Sequence, residues 1–289
     1  MINRPSTTFV SALLITAALT STLVAGAGCE GGKGEPDPPI VAQPFGPRPS
    51  MVPLNDPAAD PKVADGSTVS VTGLRVVHID TYDETGSGAS GDVFLQDATD
   101  DPKPYQGLLA YRAQTTPPSY RLFAGDIVDI SGVFEQFKAP ESGDWPDRFI
   151  PEIGNGSVQF RFDSIGPAVP RPIEASELFD GDLGYQWRSM LVTLENVTIG
   201  DTGGMPQPAE NRQPGTPWAP GKRAAVRFST SPKNPQDVPS VNNELFDFAS
   251  FYYDKGLGSG KTIKRLTGIV KVFGIYNIAP RSAADIELE

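Results

Sequence analysis

His78 is the only histidine in the chain and Cys29 the only cysteine. Nucleophilic triads and most zinc sites need a His with partners. One His inside an apolar run meets neither requirement, and no Ser-x-x-Lys or Gly-x-Ser-x-Gly occurs that could work without it. A lone Cys also excludes an intrachain disulfide framework and any cysteine-cluster metal site. Carboxylates are more plentiful. Asp80, Asp83, Glu84 and Asp92 flank one polar stretch, and Asp97, Asp100 and Asp101 mark the next. Loop carboxylates can ligate Ca²⁺, but this spacing fits no EF-hand, and acids in turns are ordinarily solvated. The expectation is a non-catalytic protein with no metal site and no cofactor.

The cations point to binding instead. Lys222, Arg223, Arg227, Lys261, Lys264, Arg265, Lys271 and Arg281 make the C-terminal part locally basic. Lys261, Lys264, Arg265 and Lys271, with Tyr276 as a stacking surface, are the candidate contacts for a ligand or a nucleic acid. Charge over the whole chain opposes a polyanion. The net charge is −11, and loss of residues 1–28, whose one charged side chain is Arg4, takes it to −12. Residues 66–167 hold seven Lys and Arg against fifteen Asp and Glu; residues 187–289 hold twelve against ten. Such a balance suits a protein or glycan partner better than a phosphate backbone. Phe94, Tyr111, Phe134, Phe149 and Phe228 fall on predicted strands, where aromatic rings normally fill a core.

These residues are positioned by a repeated stretch. Ile130-Ser131-Gly132-Val133-Phe134 lies over Leu266-Thr267-Gly268-Ile269-Val270, and Phe137 and Phe273 follow at matching distance. β-Branched and apolar residues around a central Gly read as a strand that bends or admits a close backbone. Apolar residues on both faces of each copy call for a second packing partner. Strands are expected over residues 69–79, 92–97, 107–113, 127–137 and 148–153, with a loop over 114–120. Further strands are expected over residues 190–199, 224–229, 263–273 and 276–279, with a helix over 243–253 and a capped helical turn over 173–179.

Five short strands, two of them bent at Gly, suggest a five-stranded barrel. The run from the Val-rich strand through FLQD to AGD-x-V-x-I-S-G-V-F-E-x-F resembles the OB-like domains attached to bacterial extracellular nucleases. The resemblance implies an OB fold and, as the competing functional reading, capture of extracellular nucleic acid beside a separate nuclease. The expected class is all-β, two tandem five-stranded OB-like barrels: residues 66–165 and 187–289, joined by a connector, 166–186.

Two segments precede the barrels. Residues 1–29 join Arg4 to an uncharged apolar run and a small-residue stretch, Gly26-Ala27-Gly28, ending at Cys29. This resembles a bacterial lipoprotein signal, which implies acylation of Cys29 and a membrane anchor; an ordinary secretory signal or an uncleaved anchor are the alternatives. Residues 30–65 are Pro-rich and read as an extended tether. The implied address is the cell envelope, the outer membrane or cell surface ahead of the inner membrane.

Overall fold

A computed structural model describes residues 51–60, 62–83, 88–137, 150–179, 181–200, 225–228, 239–273 and 275–289. The signal segment with Cys29, the tether up to residue 50, Glu84, Phe149, Lys222 and Arg223 lie outside the described residues. Among the described residues, no helix is long and apolar enough to cross a membrane.

The protein is all-β, built from two sheets. A short helix, α1 (Val52–Asn55), precedes β1 (Thr68–Ile79), β2 (Val93–Asp97), β3 (Gly107–Tyr111), β4 (Gln114–Thr116), β5 (Asp126–Phe137) and β6 (Ile150–Ser164). β1 pairs antiparallel with β2 and β5, β2 with β3, and β5 with β6; a parallel pairing of β3 with β6 completes a ring of five strands. This is the strand order of an OB barrel. The sixth strand, β4, is a short parallel addition beside β6. It occupies the start of the expected loop, and β6 runs eleven residues beyond its expected end at residue 153.

The connector holds β7 (Arg171–Pro172), a 3₁₀ turn (Ala175–Leu178), α2 (Gly181–Gly184) and a second 3₁₀ turn (Tyr185–Trp187). Glu174 caps the first turn in a reciprocal box with Glu177. The second ring comprises β8 (Leu191–Thr198), β9 (Ala225–Arg227), β10 (Ser240–Asn242), β11 (Thr262–Phe273) and β12 (Ile275–Ala279), with α3 (Phe248–Asp254) between β10 and β11. β8 pairs with β11, β11 with β12, β12 in parallel with β10, and β10 with β9. An Ile199–Phe228 bridge joins the ends of β8 and β9, so this ring has the same order as the first. A last strand, β13 (Ile286–Leu288), adds to β11. Neither β10 nor β13 is among the expected strands; each is a short segment paired along a longer neighbour, β12 or β11.

Glycine shapes both rings. Gly73 has φ of +71° where the β1–β5 register shifts, and its N–H donates to Asp129 Oδ1 at 2.8 Å. A left-handed residue at a bulge bends β1 across the barrel. Gly132 and Gly268 serve a different purpose. A Cβ on Gly132 would lie 2.9 Å from Gly156 Cα, and one on Gly268 would lie 2.8 Å from the Ala279 carbonyl oxygen. Each repeat glycine therefore lets the following strand pass directly over it.

The expected tether ends earlier than its composition implies. Met51 and Leu54 are buried in the first barrel's core, and the Met51 N–H donates to Asp97 Oδ1 at 3.0 Å. Asn55 Nδ2 donates to the carbonyls of Tyr105 and Gly107. Three residues with something to bury are enough to dock a Pro-rich chain end.

Candidate binding surfaces

The barrels share a packed junction. Along β1, β2, β3 and β6, side chains alternate. Val76, Val93, Leu95, Leu108, Ala110 and Ile153 point into the first barrel. Val77, Phe94, Leu109 and Ile150 point outward and belong to one apolar cluster with Met190, Leu191 and the core of the second barrel. The period of two along a strand produces this split, since each residue on one face is followed by one on the other. The backbones also meet. A Cβ on Gly107 would lie 2.3 Å from the Arg188 carbonyl oxygen. The Tyr105 N–H donates to the Gln186 carbonyl at 2.8 Å, and the Leu191 N–H to Gln96 Oε1 at 3.2 Å.

Charged groups fringe this junction. Lys271 Nζ lies 5.4 Å from the Phe94 ring centroid and forms an ion pair with Glu244. His78 sits by Phe94, and burial first, then Arg281, pushes its imidazole down to about 4, so it is neutral near pH 7. Glu152 faces Glu135 across β5 and β6. Burial first, then that neighbour's charge, pushes its carboxyl up to about 7. Arg188 stacks over Tyr185, 3.9 Å from the ring centroid, and burial pulls its guanidinium down to about 10.

The five nominated contact residues do not assemble into one groove. Lys261 is exposed in the turn before β11. Lys264 and Arg265 are exposed at a bulge in β11, and both pair with Glu287 of β13. Lys271 lies at the barrel junction. Tyr276 is 2% exposed, and a Cβ on Gly184 would lie 2.6 Å from its ring, so no base can stack on it in this structure.

The loop acids are spent locally. Asp80 accepts from the Tyr82 N–H and Ser90 Oγ, Asp92 from the Arg112 N–H, and Asp97 from the Met51 N–H. Asp100 pairs with the buried Arg75, and Asp101 with Lys103 and Arg171. The Lys103 hydrogen bond holds Asp101 below the usual carboxylate range. Among the described residues, no group of three or more His, Cys, Asp or Glu is placed to hold a metal ion.

A different surface stands open. Tyr120 stacks on Phe160 with centroids 4.1 Å apart, and Phe162 meets both rings edge-on. Phe162 is 75% exposed and Phe123 59% exposed. Two extra residues on β6 opposite β5 and a φ of +55° at Phe162 turn its side chain away from the core. The sequence places Tyr120 in the expected loop over 114–120 and Phe160 and Phe162 beyond the expected strand end at residue 153. No periodicity marks Phe162, because the bulge that exposes it breaks the alternation.

No protein-family model matches the chain, and no curated protein matches it. Among solved structures, it is 16% identical to a deletion mutant of the single-stranded DNA binding protein from Thermus aquaticus. That alignment covers 78% of this chain and 96% of the other, with a TM-score of 0.23. The wild-type form of that protein is 17% identical, covering 78% and 94%, with a TM-score of 0.20. The OB assignment of this chain rests on its own strand order.

Proposed function

We propose that the protein is a non-catalytic binding or scaffolding module of the cell envelope, held there by a lipid on Cys29, with a protein or glycan partner. The observation that carries this reading is the junction. Barrels of this order commonly bind oligonucleotides and oligosaccharides on the outer face of their second and third strands. Here that face of the first barrel, with Phe94 and Leu109, is covered by the second barrel. The covered face serves to join two barrels, and partners are left to other surfaces. His78 fits the same reading, as a neutral imidazole packed at the junction. Affinity capture from envelope extract with residues 45–289 should recover a reproducible partner, and Cys29→Ala should move the intact protein to the soluble fraction. Hydrolytic activity in pure protein that captures nothing would overturn the reading.

A second reading, binding of single-stranded nucleic acid, draws on one observation. Lys261, Lys264 and Arg265 are exposed along one edge of the second barrel, where Glu287 supplies a single negative charge to two cations. Tyr276 cannot add stacking there, and the acidic balance of the chain opposes a long polyanion. Fluorescence anisotropy with labelled single-stranded oligonucleotides at low salt decides it. The expected result is no binding; binding that falls steeply with salt and is lost in Lys264→Glu/Arg265→Glu would establish this reading instead.

A further inference from the structure

A single row of side chains crosses the outer face of the first barrel. It runs from His78 on β1 through Phe94 on β2, Leu109 on β3 and Glu152 on β6 to Glu135 on β5, each opposite the next. Residues paired in this way share a face of the sheet. Phe94 and Leu109 pack into the apolar cluster of the second barrel, Glu152 is 3% exposed, and Glu135 stands in solvent. Glu152 is therefore the last covered position of the row. We propose that the junction is a proton-controlled contact: a neutral Glu152 holds it shut, and loss of that proton loosens it, so that the second barrel lifts from Phe94 and Leu109.

The charges around Glu152 are unbalanced. The Glu135 carboxylate lies against Gly154, the next outward position of β6, 3.2 Å from where a Cβ would stand. Asp92 acts on Glu152 from the start of β2, and its carboxylate accepts from the Arg112 N–H. On β3, Tyr111 lies opposite Gly154 with the Arg112 guanidinium over its ring, 5.0 Å from the centroid. From the second barrel comes Lys271, already paired with the buried Glu244. An ionised Glu152 thus joins Glu135, Asp92 and Glu244 around one committed ammonium. At the far end of the row nothing compensates: His78 is neutral, and Arg281 is held by Asp285 through hydrogen bonds of 2.9 and 2.8 Å. Burial first, then Glu135, pushes the Glu152 carboxyl up to about 7, so the proton is on below neutrality and off above it. Lifting the second barrel admits water to the anion and releases the cost of burying it, as a local opening short of unfolding.

The test is hydrogen exchange on the intact chain in detergent, corrected for the intrinsic pH dependence of exchange. Two amides that donate across the junction report its opening, Tyr105 to the Gln186 carbonyl and Leu191 to Gln96 Oε1. At about pH 8.5 both should be less protected than the core amides of Val128 and Ile130, and about tenfold or more less protected in wild type than in Glu152→Gln. At about pH 5.5 the two proteins should agree, because Glu152 then carries its proton. Glu135→Gln, at an exposed position, should show a smaller fall in protection between the two pH values than wild type, since one repelling charge is gone. Wild type that matches Glu152→Gln at the higher pH overturns the proposal, because the carboxylate then reaches water past Glu135 without moving the barrels. Protection of Tyr105 and Leu191 equal to that of the core overturns it too, because the junction then opens only when the whole fold does.

Discussion

β5 and β11 carry the same Gly-centred pattern and occupy the same place in their rings, yet they live in different surroundings. On β5 the outer face is wet: Ser131, Val133 and Glu135 are exposed, and Phe137 is 42% exposed. On β11 the positions that match Ser131 and Val133, Thr267 and Ile269, are buried. Val270 exchanges backbone hydrogen bonds with the segment leading into β8, accepting from Ser189 and donating to Met190. Its neighbour Lys271 reaches the first barrel at Phe94. The expectation of a second packing partner therefore holds for β11 and fails for β5. The difference teaches that apolar residues on both faces of a strand announce a partner only where the fold brings one. Where no partner arrives, the same residues are surface.

The comparison can be broken hardest at Gly107. A side chain there meets the Arg188 carbonyl and the Ser189 backbone, and neither end is a flexible side chain. Gly107→Val should force the barrels apart and cost about 3 kcal/mol or more, as overpacking against backbone does. Chemical denaturation of wild type and variant measures it. Next in size is a paired truncation. Ile269→Ala on β11 removes a fully buried side chain and should cost roughly 2–5 kcal/mol. Phe137→Ala on β5 should cost within about 0.5 kcal/mol, as exposed positions do. Equal costs would erase the distinction between the two strands.

A further effect is a pH dependence. Glu152 has a folded pKa near 7, above its ordinary 4.5, so the folded state holds its proton longer than the unfolded state. Its burial therefore costs stability progressively as pH rises from 4.5 to 7, and the full penalty applies above 7. Glu152→Gln should relieve at most about 3 kcal/mol at pH 8 and little at pH 4.5. His78 works in the opposite direction. Its folded pKa near 4 lies below its ordinary 6.5, so its contribution is present above 6.5 and lost as pH falls toward 4. Thermal melts of Glu152→Gln across pH 4.5–8 separate the two, because only the carboxyl's share disappears.

Much of the fold was legible because it is carried by long strands. Residues 69–79, 127–137 and 263–273 have the length and β-branched content of strands, and the repeated Gly fixes the correspondence of the last two. The three-residue strands β4, β10 and β13 were not legible, since pairing with longer neighbours creates them. The surfaces were less legible still. Tyr276 reads as an available ring in sequence, but Gly184, ninety-two residues away, lies on it. Lys264 and Arg265 read as a free patch until β13 returns Glu287 to their side. Phe162 owes its exposure to a bulge defined by register with β5, which no local pattern records. In each case the deciding contact is distant in sequence.

The central claim is that the second barrel covers the outer face of the first, so that the two unfold as one body. Differential scanning calorimetry of the intact chain tests it most directly. The junction predicts a single transition whose calorimetric and van't Hoff enthalpies agree, splitting into two in Gly107→Val. Two independent transitions in the wild type, unmoved by Gly107→Val, would contradict it.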